Sequence, residues 1–560
     1  MADSKRPARP ASYALLLLLL AAAPAYGQAV VIPPAAEPRL PGRGLPVPEV
    51  ELELSIPAQP RAPDRRAVDE LVFPISRIAV EGSTVYSEAQ LSAFTAPLIG
   101  RSLGLSAITA VAEAIENRYR TDGYVLSRVF VPPQRVGDGT FRIQIVEGFL
   151  SQIEFDGGSD AARERIRGYL RRAFEGRPAN LAAIERGLLL AGDLAGVSAA
   201  GTLAPGQEPG SSNLLVRIEE KPLQASATAS NRASKFQGPV TVYAETSFNG
   251  LLGMTEQITV GGSTVPSWKS NRELRQGVFR YTQPIGDDGL VFGWDTTYSW
   301  GWPGHTLKAL QVHTTAWRLG PRLSYPVIRS RRVNLVFDTS AYVSRTATFV
   351  RGDPLSRDRY LASDARVTFS HLGFLQGATV LSAGVTRGLI GLGTENPNDL
   401  QRSRSDAQPQ FTKFTGEIRR IQLLTDDFSA QWTFAGQVTR NRLYSGEEFS
   451  LGGGRFGRGY DPSEITGVNG AGSALDIRYG DLGTAGWQPY VFYDYGWAWN
   501  RRGSGASFTQ TLASVGLGVK LAPENWLSSS FELAQPLTRV PSLTEDRKPL
   551  RIYWDISMRF

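Results

Sequence analysis

One glycine-rich stretch of the sequence combines a permanent charge with a phenolic ring. Residues Leu451 to Pro462 read LGGGRFGRGYDP. Glycine reaches backbone angles closed to other residues, so this stretch can turn sharply. Arg458 can form a forked, charge-assisted bond to a carboxylate, and the ring of Tyr460 can hold the loop in place. Taken alone, the stretch fits either an ordinary surface loop or a loop that folds back on another part of the protein.

Metal and nucleophile chemistry has little support in this sequence. The chain has no cysteine, and its three histidines are scattered at His305, His313 and His371. We therefore expect no zinc site, cysteine nucleophile, disulfide framework or cofactor. A serine nucleophile would need a partnered base, but the histidines lie in or beside predicted strands without acidic company. An enzyme is not expected.

The first 27 residues are predicted to be a secretory signal peptide. Lys5, Arg6 and Arg9 precede an apolar run from Tyr13 to Ala23, and small residues follow at the usual cleavage spacing. No later stretch reaches about 18 uninterrupted apolar residues, so helical membrane spans are not expected. The net charge of +7 is small for 560 residues. Because an exported protein seldom meets nucleic acid, we expect no nucleic-acid partner.

Residues 28–72 are predicted to be an extended, proline-rich linker. Prolines interrupt every possible helix or central strand as far as Asp64. A spacer is favoured over a specific binding segment.

The next 150 residues contain a repeat. The segment Ile75–Gly82 (ISRIAVEG) reappears 75 residues later as Leu150–Gly157 (LSQIEFDG), which indicates two copies of one small domain. We place them at 73–148 and 149–221, each with the order strand, helix, helix, strand, strand.

Helical and strand periods define the elements of each copy. The first copy has predicted helices over Ser87 to Leu98 and Ser106 to Tyr119, then strands over Val125 to Val131 and Thr140 to Val146. On the second of these helices one face carries Ile108, Val111, Ala112, Ile115 and Tyr119. In the second copy we predict a strand over Leu150 to Phe155, helices over Asp160 to Phe174 (burying Ile166, Leu170 and Phe174) and Asn180 to Leu194, and a final strand over Leu214 to Ile218.

From about Leu223 strand alternation replaces the helical period. Between Val291 and Trp300, for example, aromatic side chains share one face and small or polar ones the other. An apolar face opposite a polar one is what lipid outside and water inside a barrel require. A soluble sandwich would also alternate, but the many Trp and Tyr near strand ends favour a barrel. Residues 222–560 are therefore predicted to form an all-β transmembrane barrel of ~16 antiparallel strands.

The order of elements and the loop motif together resemble a known family. The repeat order resembles the POTRA domain, and Gly123-Tyr124 with Val146-Glu147-Gly148 looks like the version found in transporters of two-partner secretion. Two such repeats, a barrel and an Arg-Gly-Tyr loop resemble the TpsB family within the BamA-type superfamily, from about Phe73 to Phe560. The final strand, with Trp554 and terminal Phe560 on the lipid-facing register, resembles the signal that the barrel-assembly machinery reads during insertion.

The resemblance also implies a partner for Arg458. In this family the loop is usually V-R-G-Y or V-R-G-F and folds into the barrel lumen, where its arginine meets the acid of an F-x-D-x-G motif. The counterparts here are Gly457-Arg458-Gly459-Tyr460 and Phe492–Gly496, so glycine replaces the usual valine. Alternation independently places Phe492, Asp494 and Gly496 on the luminal face. We therefore predict a luminal loop around 451–476 that Arg458 holds to Asp494; an unpartnered Asp494 facing a wet pore is the alternative.

The implied function is the export of an unfolded passenger, typically a large β-helical exoprotein, across the outer membrane. The repeats would capture the passenger by adding its strand to a sheet, or would serve only as rigid spacers. Some relatives carry an N-terminal plug helix, but the proline-free runs before Phe73 are too short for one here. Relatives act mostly as monomers in outer-membrane lipid. The rivals are a barrel-assembly factor, which usually has three or more POTRA repeats, and a simple diffusion porin.

Overall fold

The computed structural model describes residues 54–55, 72–266, 273–391, 394, 401–500, 509–542 and 547–560. The predicted signal peptide lies outside the described residues, as does the predicted linker apart from residues 54–55 and 72. The domain boundaries given above stay predictions.

The first repeat folds two helices against a three-stranded sheet. Its sheet order is β3-β6-β5, with β3 and β6 parallel, and β2 and β4 form a small separate pair. Helix α1 begins with a capping box between Ser87 and Gln90. The five residues predicted to share one face of α2 are all buried. The elements are β2 Val72–Pro74, β3 Arg77–Glu81, α1 Glu88–Thr95 with a 3₁₀ turn Ala96–Leu98, β4 Ser102–Gly104, α2 Leu105–Thr121, β5 Arg128–Phe130 and β6 Thr140–Val146.

The second repeat has the same helix pair on a longer sheet. Ile166 and Leu170 are buried as predicted, whereas Phe174 is only partly buried at the edge of the core. The predicted order has two strands after the helices, of which the sequence located only the last; the structure places the other over Val197–Pro205. The elements are β7 Phe149–Gly157, α3 Asp160–Glu175, α4 Leu181–Gly192, β8 Val197–Pro205 and β9 Ser211–Glu220.

A short piece of the predicted linker joins the second sheet. Strand β1, Leu54–Ser55, runs parallel to β8 and pairs with Gly201 and Thr202. The sheet order is β1-β8-β9-β7, so β1 lies at an edge. An edge position is compatible with the proline-rich surroundings, since prolines interrupt central strands but not short edge strands.

The C-terminal part is a closed antiparallel barrel of sixteen strands among the described residues, which confirms the predicted count. Strand β10 pairs with β27 to close it, over Ser226–Ser230 and Asp555–Arg559, the shortest register in the barrel. Two further strands, β21 Phe449–Leu451 and β22 Ile465–Gly467, form a hairpin outside the barrel sheet. The barrel strands are β10 Leu223–Ser230, β11 Thr241–Asn249, β12 Gln257–Thr264, β13 Arg275–Ile285, β14 Leu290–Gly301, β15 Val312–Arg329, β16 Val333–Val350, β17 Asp353–Phe374, β18 Gly377–Leu389, β19 Thr412–Leu423, β20 Phe428–Thr439, β23 Asn469–Tyr479, β24 Trp487–Trp499, β25 Thr509–Glu524, β26 Leu527–Pro536 and β27 Arg551–Arg559; the turn before β24 holds the short helix α5 Leu482–Ala485.

Side chains alternate across the barrel wall as predicted. On β24, Val491 and Tyr493 are exposed on the outside, whereas Phe492 and Asp494 are buried inside. Outward residues would face lipid and inward ones the lumen.

The second repeat is fixed to the barrel rim by arginines. Arg171 and Arg172 of α3 pair with Asp287 and Asp288 in the turn between β13 and β14, at 2.8 and 2.9 Å. The side chain of Arg186 on α4 donates to the carbonyl of Pro326 on β15 at 2.9 Å. Strand β9 leads directly into β10 at this rim, so the second repeat lies against the end of the barrel where the chain enters.

Candidate functional site: a loop latched inside the barrel

The segment between β20 and β23 folds into the barrel. It runs over residues 440–468, with the β21–β22 hairpin at its base and the glycine-rich stretch at its tip. The predicted range of 451–476 was therefore placed too late, because Asn469–Tyr479 is a barrel strand. The glycines of that strand give it the composition of a loop. They are small because the loop packs on them: a Cβ at Gly470 would lie 2.4 Å from Phe449, and one at Gly472 would lie 2.6 Å from Phe456.

Arg458 and Asp494 are in direct contact in the lumen. The guanidinium donates a bidentate pair of hydrogen bonds to the carboxylate, from Nη2 to Oδ1 at 2.7 Å and from Nε to Oδ2 at 3.0 Å. Oδ2 also accepts the backbone N–H groups of Gly457 and Arg458, at 3.2 and 2.9 Å, and the hydroxyl of Ser514 at 3.2 Å. Asp494 has no exposed surface and Arg458 only 6%. A buried carboxylate that accepts this many bonds holds both the side chain and the backbone of the loop tip.

Two further carboxylates surround the same arginine. Arg458 Nη2 also pairs with Asp476 of β23 at 2.8 Å, and Nη1 lies 3.6 Å from Glu532 of β26. Arg232, just after β10, pairs with Glu532 at 2.6 Å and with Asp555 of β27 at 2.6 Å. Charges therefore alternate from the loop tip to the strands that close the barrel.

The sequence reasoning missed Asp476, Glu532 and Arg232. The signal for the two acids was available, because alternation along β23 and β26 puts each on the luminal face, where a carboxylate needs a partner. Arg232 lies outside any strand and has no such signal.

Phe492 and Gly496 of the F-x-D-x-G motif each have a defined contact. The ring of Phe492 lies under the Arg458 guanidinium, with the guanidinium carbon 3.5 Å from the ring centroid. Such cation–π stacking orients the arginine. We expected Gly496 to leave room for the loop backbone. It leaves room for a side chain instead, since a Cβ there would lie 2.6 Å from Leu451 of the hairpin.

The glycines beside Arg458 are required by backbone angle and by space. Gly457 has φ +85°, and a Cβ on it would lie 2.4 Å from Leu512 of β25. This conformation directs its N–H at Asp494, so the departure from the family's usual valine has a local cause. A Cβ on Gly459 would lie 2.7 Å from the backbone nitrogen of Pro536, at the end of β26.

Tyr460 pins the loop to the last strands. It is fully buried, and its hydroxyl donates to the carbonyl of Ala513 at 3.2 Å while accepting the N–H of Arg539 at 3.2 Å. The predicted role of the ring in holding the loop agrees with this geometry, although its effect on transport stays a prediction.

The two residues of the predicted insertion signal lie at the seam of the barrel. Phe560 is 73% exposed, and its backbone exchanges hydrogen bonds with Ala225 at 2.8 and 3.0 Å. The backbone N–H of Trp554 donates to Asn231 at 2.8 Å. Their role in insertion stays a prediction.

The described residues contain no group of His, Asp and Glu arranged to hold a metal ion. In the same part of the chain, no helix is both long and apolar enough to span a membrane.

Comparisons with known proteins agree with this architecture. Residues 210–521 match the family model for the haemolysin secretion/activation proteins ShlB/FhaC/HecB, and residues 73–148 match the model for the ShlB-type POTRA domain. The outer membrane transporter CdiB of Escherichia coli O6:K15:H31 (strain 536 / UPEC) is 27% identical over 87% of this chain and 82% of its own length. The hemolysin transporter protein ShlB of Serratia marcescens is 24% identical over 74% of this chain and 73% of its own.

A solved structure shares the fold over most of the chain. The structure of CdiB from Escherichia coli superposes with a TM-score of 0.72 at 22% identity, covering 90% of this chain and 93% of that one. The fold and these matches define an outer-membrane β-barrel transporter whose POTRA domains lie in the periplasm. More particularly, the chain belongs to the ShlB/FhaC/HecB family of haemolysin secretion/activation proteins, the transporters of two-partner secretion.

Proposed function

We propose that this protein captures an unfolded exoprotein in the periplasm and conducts it through the barrel to the cell surface. The observation that carries this proposal is the buried bond between Arg458 and Asp494, which holds residues 440–468 inside the lumen. The loop can leave the lumen without opening the barrel, since the strands of the wall pair with one another and not with the loop. We therefore take the docked loop as the resting state and its release as the step that admits the passenger.

The second POTRA repeat offers an edge for capture. Strand β8 extends over Val197–Pro205, and within the described residues β1 pairs with only Gly201 and Thr202 of it. An extended passenger segment can add to the remaining edge through backbone hydrogen bonds, which require no particular sequence. Because the arginines of α3 and α4 fix this repeat to the rim, a captured segment would be held beside the barrel opening.

The passenger is proposed to be a large β-helical exoprotein such as an adhesin or haemolysin. Relatives carry names such as hemolysin transporter and heme/hemopexin transporter, which describe those proteins. If the passenger is a haemolysin, we also propose that the transporter activates it during export. We further propose that the protein works as a monomer in outer-membrane lipid after insertion by the barrel-assembly machinery.

Deletion of the transporter tests this function. We expect one large protein to disappear from the cell surface and culture fluid while the other outer-membrane proteins keep their levels. We call the bonded pair of Arg458 and Asp494 the latch. The Arg458→Ala and Asp494→Ala variants should lower secretion of the same protein, and wild-type secretion by both would contradict the role of the latch. A general loss of outer-membrane proteins on deletion would instead support an assembly factor of the same superfamily.

A further inference from the structure

A second buried ion cluster lies where the loop enters the lumen. Its centre is Glu447, the last residue of a 3₁₀ turn, Ser445–Glu447, with 3% of its surface exposed. The carboxylate pairs with Lys413 of β19 at 2.8 Å and with Arg318 of β15 at 2.9 Å. It also accepts the hydroxyl of Tyr360 on β17 at 2.7 Å. The hydroxyl of Tyr342 on β16 donates to it at 3.2 Å, so four strands converge on one carboxylate of the loop.

The backbone and a ring of the same turn are held as well. The carbonyl of Glu447 accepts bonds from Gln437 at 2.9 Å and from Lys413 at 3.2 Å. The ring of Tyr444, fully buried, stacks on Tyr360 with centroids 4.7 Å apart and planes within 8°. The start of the loop is thus fixed to the wall by charge, by the main chain and by aromatic packing.

The two clusters hold the loop to different arcs of the barrel. Arg458 binds carboxylates of β23, β24 and β26, whereas Glu447 binds cations of β15 and β19. The polarity is reversed: at the tip the loop supplies the cation, and at its base the loop supplies the anion. Breaking either cluster removes the loop partner of buried charges on the wall, which are Asp494 at the tip and Lys413 and Arg318 at the base.

We infer that Glu447 is a positioning residue that forms a second latch, independent of Arg458, so that the lumen is cleared only when both are released. Loss of the Arg458 bonds loosens the tip, but Glu447 stays bonded to β15, β17 and β19. The role of this second latch in transport rests on the proposed function. The geometry of the loop can be tested without any passenger.

Pairs of spin labels can report the two halves of the loop separately, because the chain has no natural cysteine. Gly446 and Gly454 are exposed loop positions, and a Cβ on either meets nothing closer than 3.4 Å. Each is changed to cysteine and paired with Asp353→Cys, an exposed residue at the turn between β16 and β17. Distances are measured by pulsed electron paramagnetic resonance on the full-length protein in lipid.

The expected result is an independent response of the two labels. Glu447→Gln should broaden the distance distribution of the Gly446 label and leave that of the Gly454 label narrow, and Arg458→Ala should do the reverse. The inference is overturned if Arg458→Ala alone releases the Gly446 label, or if Glu447→Gln leaves that label in place. The matched control is Glu464→Gln, a loop carboxylate bonded to exposed Ser542, which should move neither label.

A variant on the wall guards against a folding defect of Glu447→Gln. Lys413→Met removes the cation instead of the loop carboxylate and should also release the Gly446 label; retention of that label would contradict the inference. Single-channel conductance supplies the functional measurement: the double variant should conduct more than either single one. If the labels respond as expected but deletion of the transporter leaves secretion unchanged, the second latch stands and the proposed function fails.

Discussion

Arg458, Asp494 and Phe492 form one connected set of contacts at the tip of the loop. Arg458 reaches Asp494 and Asp476 at once because a guanidinium presents several donors in one plane. Asp494 in turn accepts the backbone N–H groups of Gly457 and Arg458, which the positive φ of Gly457 directs toward it. The charge, the ring beneath it and the flanking glycines therefore act together.

Arg458→Lys should weaken the latch although the charge is kept. An ammonium group cannot form the forked bond, so at least one buried carboxylate oxygen loses its partner, at a cost of about 1–3 kcal/mol. We expect secretion to fall below wild type but to stay above that of Arg458→Ala. The control is Arg455→Lys, a half-exposed arginine of the same loop that pairs with Glu417. Equal secretion by the two lysine variants would contradict the importance of the fork.

Gly457→Val should damage the latch even though valine is the family's usual residue there. A β-branched residue at φ +85° costs roughly 1–2 kcal/mol, enough to shift docking by about tenfold, and its Cβ would overlap Leu512. We expect secretion to drop while the amount of folded barrel in the membrane stays unchanged. Gly454→Val, at an exposed loop position with ordinary backbone angles, serves as the control. Wild-type secretion by Gly457→Val would show that the loop can adopt another conformation at no cost.

At the scale of elements, one carboxylate ties together the first POTRA repeat. Glu147, the residue after β6, accepts the N–H groups of Thr84 and Val85, at 2.7 and 3.1 Å, and the hydroxyl of Tyr119 on α2 at 2.8 Å. Burial alone would raise the pKa of Glu147, but its hydrogen bonds, above all those from the hydroxyl and the N–H of Thr84, outweigh it and lower the pKa below its usual value. The residue thus joins a strand, a loop and a helix.

The lowered pKa predicts a loss of stability in acid. A depressed folded-state pKa stabilises the fold above the unfolded pKa, and that contribution disappears as the pH falls through the folded value. Glu147→Gln should remove it at neutral pH; because solvent reaches this side chain and screens its contacts, the cost is about 1 kcal/mol or less. Protection of the Thr84 and Val85 amides, measured by hydrogen exchange, should then be lower and less dependent on pH. Glu81→Gln, which alters an exposed pair with Arg142, should leave that protection unchanged.

Elements with a clear side-chain period could be predicted, and those shaped by contacts could not. Helix α2 and the two faces of β24 follow from spacing alone. Strand β8 was expected from the repeat but could not be located, because its alanines and Gly201 do not alternate. Gly201 is small because a Cβ there would lie 2.7 Å from Leu188 of α4. The start of β23 was read as loop for the same reason. A residue that is small because another element packs on it does not contribute to the alternation of polar and apolar side chains, so the sequence pattern does not reveal it.

At the scale of the whole molecule, the closure of the barrel depends on a short register and a few side chains. Arg232 bridges Glu532 and Asp555 across it, and terminal Phe560 exchanges backbone bonds with Ala225. The pairing of Arg458 with Asp494 could be predicted from the motif and the alternation. The ion pair between Glu532 and Arg232 could not be predicted, because these residues come from opposite ends of the barrel sequence and share no motif.

Removal of Phe560 should lower the amount of protein in the outer membrane by several fold. The deletion removes both the aromatic terminus predicted to guide insertion and the last backbone bonds of the shortest register. Heat-modifiable mobility of the membrane fraction on gels measures the folded barrel. Phe560→Trp keeps an aromatic side chain and the backbone, and should insert normally. Normal insertion of the deletion variant would show that the terminal aromatic is dispensable.

Gly472 and Gly496 of the barrel wall leave hollows into which side chains of the loop pack, and these hollows bear on the order of assembly. Leu451 and Phe456 pack over Gly496 and Gly472, which belong to strands that follow the loop in the chain. These hollows exist only once β23 and β24 lie side by side, and the pocket for Tyr460 also needs Ala513 of β25. We therefore expect the loop to dock late in folding, after most of the wall has formed. A segment that docks onto a finished wall can also leave it without unravelling the strands.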